Sequence, residues 1–417
     1  MGYFITLRKI LPSENQILYL LSILIAISCV YTKQLFSILL PIITVIIIKY
    51  QGKVSRLPIL NILPLFILFL LLLLGGLSTV WSFVPLSSFK AFAGTAVSFV
   101  FAYFLFSALS EPHPELFKKV NKVLVLSVTI LSSVFIYQTF VSVLNIKYLA
   151  TFIEINNQLK PSGSIIGLAI FVVCAYSWIN NEKLLAIFMF IILSMLVYLS
   201  LCQTAQYSLI FSLIVFGLSY MLPRWVTMMA AISSFLYMIL APLIFMYILP
   251  PSTILNSPLL NKVVNESLYH RFLGWEFYSF KIFDRPFLGW GAESSRHIQD
   301  NAELAKGFSN LLHPHNASIQ AFVEMGLLGG LLISLLFPAL FLLVLKKVKD
   351  PLSVAVCNST LAFAFIAAEV THNIWHSYWI SWSCLVAGLV ILFVKTREVQ
   401  QRVPVGHLQP ALSPSGV

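Results

Sequence analysis

The stretch LLHPHNASIQAFVEMGLLGGLL holds the residues best suited to moving a proton. His313 and His315 bracket Pro314 just before a long apolar run, so His315 stands at a helix start. An imidazole titrates at about 6.5 when unperturbed, which fits it to general-base work near neutral pH, although a lone histidine is more often structural. Beyond it, Asn316, Gln320 and Glu324 follow one another at i, i+4 and i+8 on one helix face. Polar groups entering an apolar helix in this way normally face the protein interior or a wet cavity. Gly326 and Gly330 repeat the small-xxx-small spacing that lets a second helix approach closely, so they read as packing residues. Two histidines also suggest metal, but no third ligand stands at a standard spacing, and His270 and His297 do not complete a recognisable set. No metal is expected.

Upstream, RFLGWEFYSFKIFDRP reads as a short helix ended by Pro286, with Arg271, Trp275 and Tyr278 on one face. That face suits either a binding surface or an interfacial helix whose aromatic rings sit at lipid headgroup level. FLGWGAESSR follows, with Gly289 and Gly291 permitting a tight turn before Arg296. Two guanidiniums 25 residues apart could converge on a diphosphate, whose oxygens a guanidinium fork matches in a bidentate way. The plainer alternative makes them surface arginines, or partners of Glu266, Glu276 or Glu293. Near the end, EVTHNIWHSYWISW places Glu369, His372, Trp375, His376 and Trp379 around one hairpin, as part of a site or, for the two tryptophans, as an aromatic belt.

The elements that must hold these residues are membrane helices. Of 417 residues, 59% are apolar and 10% charged, and the mean hydropathy is +0.92, far from a soluble domain. Apolar runs near the roughly 20 residues needed to cross a bilayer recur along the chain. They predict about twelve transmembrane helices, near 16–31, 34–48, 59–77, 88–109, 120–143, 164–180, 184–201, 205–222, 226–249, 316–345, 352–371 and 374–394. The close pair 184–222 rests on the polar break from Gln203 to Gln206. The fold class expected is all-α and polytopic: one membrane unit over 1–399, one large, partly helical outer loop over 250–315, and a disordered tail over 400–417.

Lysine and arginine set the orientation. Arg8, Lys9, Lys49, Lys53, Arg56, the Lys118–Lys122 cluster, Lys183, Arg224, Lys346–Lys349 and Lys395–Arg402 fall on one side of the predicted spans. The opposite short loops hold Lys33, Lys90, Lys147 and Lys160. Both termini are therefore expected in the cytoplasm and the long loop outside, with the first helix retained because no cleavage site follows Lys9. The net charge of +11 reflects this topology rather than a nucleic-acid surface, since the basic residues form short clusters between apolar runs. Five cysteines, Cys29, Cys174, Cys202, Cys357 and Cys384, lie in apolar runs without metal or redox spacing. There is no GxxxxGK[ST] loop, no internal repeat and no barrel-like alternation, so neither a nucleotide nor another cofactor is expected.

Taken together, these residues resemble the O-antigen ligase family. HNASIQAFVEMGLLG fits the family's pattern of His, Asn/Ser/Gln, nine residues, Gly, two residues and Gly/Thr/Tyr through His315, Asn316, Gly326 and Gly329. Arg271, Trp275, Pro286, Gly289 and Gly291 are similar to its R…W…P..G.G signature, and Arg296 falls where many members carry another arginine. Twelve spans and a late outer loop match its layout. One departure is LCQTAQYS, with Gln203 and Gln206 where many members have a span arginine; Lys90 and Lys160 are the candidates to replace it.

The resemblance implies a membrane glycosyltransferase of the bacterial inner membrane. Its donor would be a glycan on undecaprenyl diphosphate and its acceptor a hydroxyl of the lipid A core, with no metal or nucleotide and with inversion at the anomeric carbon. In that reading Arg271 and Arg296 hold the diphosphate and His315 is the base, supported by Trp275, His313, Asn316, Gln320 and Glu324. The same features are compatible with an O-antigen or other polysaccharide polymerase, or with a protein O-oligosaccharyltransferase. A flippase or transporter is the non-enzyme alternative, for which mid-bilayer charges are scarce, Glu369 being the one carboxylate placed deep.

Overall fold

The computed structural model describes residues 14–51, 62–111, 114–144, 149–250, 266–298 and 313–402. All twelve apolar runs form helices. In chain order these are α1 (Glu14–Val30), α2 (Phe36–Gln51, entered through a 3-10 turn at Lys33–Leu35), α3 (Leu63–Leu77), α4 (Pro85–Leu109), α5 (Pro114–Leu144), α6 (Leu149–Ile179), α7 (Lys183–Leu199), α8 (Gln203–Met221) and α9 (Pro223–Leu243, continued by a π turn to Ile248). After α10 (Glu266–Lys281) come α11 (Ala317–Lys347), α12 (Pro351–Val370) and α13 (Ser377–Arg402). Among the described residues, ten helices are long and apolar enough to cross a membrane, and Asn15–Val30 and Lys183–Leu199 are shorter apolar helices. The chain is an all-α polytopic membrane protein, with no strand among the described residues.

Several starts follow from local chemistry. Proline occupies the first turn of α3, α4, α9 and α12, where its missing N–H and fixed φ cost nothing. Asp350 caps α12 by accepting from the Ser353 N–H at 3.0 Å, and Arg397 of α13 pairs with the same carboxylate. The break between α7 and α8 falls at Ser200–Cys202, with Leu201 in a left-handed turn (φ 54°). All five cysteines are free.

α6 is the central helix: its Leu159–Ile179 stretch is almost wholly buried, and α7, α8, α12 and α13 pack on it. α11 lies against α3, α9 and α12. Within the packed spans, polar side chains tie helices together: the Asn358 amide of α12 donates to Ser219 of α8 (3.0 Å) and Thr227 of α9 (2.7 Å).

Some expected boundaries are corrected. α6 begins at Leu149, carrying Lys160 and Pro161 inside a helix rather than in an outer loop. α10 stops at Lys281, before Pro286, because the chain turns through Lys281–Asp284, an ion pair at 2.9 Å. α13 starts at Ser377 and runs to Arg402, so residues 400–402 are helical; the rest of the expected tail, like Arg8, Lys9, Lys53, Arg56 and Lys147, lies outside the described residues.

Candidate functional site

The site is built where α11 begins. Asn316 caps that helix, its side-chain oxygen accepting from the Ile319 N–H at 2.9 Å. The preceding residue, His315, adopts φ 55°, a left-handed conformation that costs a non-glycine residue energy and tends to occur where function demands it. Its backbone N–H donates to His313 Nδ1 (3.1 Å), and the two rings lie 3.9 Å apart. His315 Nδ1 lies 2.8 Å from the Thr371 carbonyl. A carbonyl only accepts, so Nδ1 carries the proton and Nε2 keeps its lone pair, the form a general base requires. Burial, reinforced by the Arg271 and Arg296 charges and opposed by the Thr371 bond, holds the His315 pKa below its usual value and the ring neutral.

The two arginines stand on either side. Arg271, on α10, uses Nη1 to donate to Thr204 Oγ1 (3.1 Å) and to the Val370 carbonyl (2.9 Å), next to the carbonyl that orients His315. Its other two guanidinium nitrogens make no bond to the described residues. Arg296 ends a short 3-10 turn and ion-pairs with Glu293, while its Nη2 donates to His376 Nε2 at 3.0 Å. An arginine cannot accept, so His376 holds its proton on Nδ1; burial, then Arg296, Lys33 and His315, push its pKa down to about 4. The His376 ring is 5.7 Å from that of His313. His372, stacked on Trp379 at 3.7 Å, is also held well below the ordinary imidazole range, chiefly by burial. Four neutral imidazoles thus separate two guanidiniums.

Beneath this layer lies a polar network inside the bundle. Glu324 accepts from the backbone N–H of Glu293 (2.9 Å), from Ser295 Oγ (2.6 Å), from Gln320 Nε2 (3.0 Å) and from Trp375 Nε1, with a longer contact to the Ser295 N–H (3.4 Å). Gln320 also donates to Asn373 (3.0 Å) and accepts from the Ile374 N–H (3.2 Å), and Asn373 donates to Glu293 (3.0 Å). One carboxylate therefore fixes both the segment that ends in Arg296 and the loop that carries His376.

α11 itself breaks to receive that segment. Gly326 has φ 64° and ψ −162°, a region open almost only to glycine, and the turn-rich run from Pro286 to Gly291 lies along the break. Leu327 N–H donates to Pro286 O (2.7 Å), Trp290 N–H to Val323 O (3.0 Å) and Gly291 N–H to Glu324 O (2.7 Å). A Cβ on Gly326 would strike the Phe287 carbonyl, and one on Gly289 (φ 67°) would strike the Glu324 backbone. Ser78 and Ser88 hold the same run from the other side by bonding the N–H and carbonyl of Ala292. The expectation that Gly326 and Gly330 admit a second helix is corrected: a loop backbone approaches Gly326, and Gly330 faces the Phe322 ring.

The aromatic expectations change as well. Arg271, Trp275 and Tyr278 share a face of α10, but that face is turned inward: Trp275 Nε1 donates to Pro314 O (2.7 Å) and Tyr278 OH to Ser295 O (3.0 Å), both side chains being buried. They are pegs for the His315 and Arg296 segments rather than headgroup anchors. Trp375 and Trp379 are buried too, so neither belongs to an exposed belt. Gln206 bonds back to Tyr198 O (2.9 Å), and the residue of its segment that meets Arg271 is Thr204. Sequence reading missed Thr204, Ser295 and Asn373, whose signal was only their place in polar patches. It named Glu293 solely as an alternative arginine partner, which for Arg296 it is. Among the described residues, no three His, Cys, Asp or Glu side chains are grouped to hold a metal.

A polytopic α-helical membrane protein with a break in one span, packed against a loop that presents arginines and a neutral histidine, defines the class. Comparison narrows it: residues 188–334 match the O-antigen ligase family model, which takes in α10, the 286–296 run and the start of α11. Related proteins named as polysaccharide ligases occur in Rickettsia prowazekii (35% identical over 142 residues, 31% of this chain and 33% of that protein), Rickettsia felis (33% over 135 residues) and Rickettsia conorii (30% over 135 residues). The matched stretch spans about a third of each of these relatives, 33% in every case. Over residues 188–334 the chain is similar to O-antigen ligases.

Proposed function

We propose that this chain transfers a glycan from undecaprenyl diphosphate to a hydroxyl of the lipid A core, at the outer face of the bacterial inner membrane. In this reading both termini are cytoplasmic, 1–399 is one polytopic unit, and the 250–315 loop is periplasmic. The observation that carries it is His315, whose Nδ1 is tied to the Thr371 carbonyl so that Nε2 is free to accept, set between Arg271 and Arg296.

The donor needs no further activation, because a diphosphate is already a competent leaving group. The acceptor oxygen attacks the anomeric carbon as its proton passes to His315 Nε2; the bond from that carbon to the diphosphate oxygen breaks, and undecaprenyl diphosphate leaves. Arg271 and Arg296 take up the charge that builds on the leaving oxygens. Direct displacement inverts the anomeric centre, with no covalent enzyme intermediate. Arg296 rests against Glu293, so binding a diphosphate exchanges one anionic partner for another. Trp275, His313, Asn316, Gln320 and Glu324 hold these groups in place.

The test is transfer by purified protein given undecaprenyl-diphosphate glycan and rough lipopolysaccharide, without nucleotide or added divalent metal. Glycan-capped lipopolysaccharide supports the reading. Elongated lipid-linked glycan without capping would make the protein a polymerase, glycan on added protein would make it a protein O-oligosaccharyltransferase, and no transfer at all would overturn the enzyme reading.

A further inference from the structure

Lys33 occupies the turn between α1 and α2, at Lys33–Leu35, immediately ahead of α2. The start of a helix is its positive end, where a carboxylate is favoured and a lysine is opposed. No carboxylate among the described residues pairs with it. Its ammonium lies instead over the Tyr378 ring, 5.0 Å from the centroid. The Tyr378 ring is stacked 5.3 Å from that of His376, whose Nε2 receives the Arg296 bond. A Ser37–Ser377 hydrogen bond (3.1 Å) fastens α2 to α13 at the same place, which fixes the turn against the site. A half-buried cation is thus held without a counter-ion among the described residues, at a helix end of the wrong sign, in a line of rings that reaches Arg296.

From this juxtaposition we propose that Lys33 is a third cation of the anion-binding site, receiving a phosphate oxygen of a membrane lipid beside the group held by Arg271 and Arg296. The assignment rests on the transfer reading given above for the identity of the lipid, but not for the binding itself. The ligand chemistry is a lipid phosphate, and two sources offer it: the diphosphate of the polyprenyl donor and the phosphates of the lipid A core. An ammonium suits this position because it is a point charge that needs no fixed fork, and the aromatic ring beneath it keeps it near the site while leaving its other side free.

The experiment compares wild type with Lys33→Ala, Lys33→Gln and Lys33→Arg in the full chain. Direct binding of undecaprenyl diphosphate, and separately of rough lipopolysaccharide, is measured in detergent, alongside KM for each lipid in the transfer assay. Loss of one charge-assisted contact should weaken binding about tenfold, with Lys33→Arg recovering most of it. Weakening confined to undecaprenyl diphosphate assigns Lys33 to the donor, and weakening confined to lipopolysaccharide assigns it to the acceptor. Wild-type affinity for both lipids in the Ala and Gln variants overturns the proposal, whatever the transfer assay gives. A wild type that binds undecaprenyl diphosphate but transfers nothing defeats the reaction proposed above and leaves the Lys33 comparison still decisive.

Discussion

Replacing Glu324 by Gln tests whether one buried side chain organises the site. All five groups around that carboxylate donate to it, from Glu293, Ser295 (twice), Gln320 and Trp375, which is the complement of an acceptor-only carboxylate. Glutamine has the same shape but turns one acceptor into an NH2. Aimed at Glu293 and Trp375, that NH2 meets an N–H of the backbone and an indole N–H, neither of which can accept. Aimed at Ser295 and Gln320, it is accommodated by rotating the Ser295 hydroxyl, but the Gln320 amide must flip, which gives up its bonds with Asn373 and the Ile374 N–H. Either choice loses about two buried hydrogen bonds, at roughly 1–3 kcal/mol each, so Glu324→Gln should cost about 2–6 kcal/mol. The cost falls on the segment that carries Arg296, so donor affinity should drop together with thermal stability. The assay is thermal unfolding of the purified protein in detergent, paired with binding of undecaprenyl diphosphate. A variant that melts with wild type and binds the donor equally well would refute the network's role.

Other outcomes follow from the same geometry. Arg271→Lys keeps the charge but cannot both anchor on Thr204 and Val370 and offer a fork, so donor affinity should fall about tenfold or more by titration; wild-type affinity would make Arg271 a structural cation. Because the His315 pKa lies below its ordinary 6.5, the neutral base persists to lower pH: kcat/KM should be flat above about pH 6.5 and fall only below it. Arg271→Gln removes one of the charges that depress it and should move that acid limb upward; a limb centred above 6.5 in wild type would contradict the assignment. Gly326→Ala forces a side chain into a glycine-only conformation and against Phe287 O, costing about 1–3 kcal/mol in backbone strain alone, whereas Gly217→Ala meets open space inside α8 and should be neutral or stabilising in the same unfolding assay.

The twelve apolar helices were legible because such a helix announces itself by length and hydropathy, although only ten of those described are long enough to cross a membrane, and even the tight α7–α8 pair was marked by its polar break. The inward i, i+4, i+8 stripe of Asn316, Gln320 and Glu324 was equally readable, and all three are fully buried. What periodicity does not encode is tertiary direction. Gly326 looks like a packing glycine until the chain from Pro286 to Gly291 is seen to need its left-handed conformation. Trp275, Trp375 and Trp379 carry the composition of a headgroup belt, and only their partners, Pro314 O, Glu324 and His372, show them turned inward. Thr204 and Lys33 were not legible as neighbours of the site because the partner of each is remote in sequence, Tyr378 for Lys33 and Arg271 for Thr204.

The most direct test of the account is turnover by His315→Asn beside His315→Ala. Asparagine tolerates the left-handed backbone at this position and cannot act as the base, so it separates chemistry from folding. With undecaprenyl-diphosphate glycan and rough lipopolysaccharide, both variants should bind donor as wild type does and lose about 10²- to 10⁴-fold in kcat. Wild-type turnover in either variant would remove His315 from the mechanism.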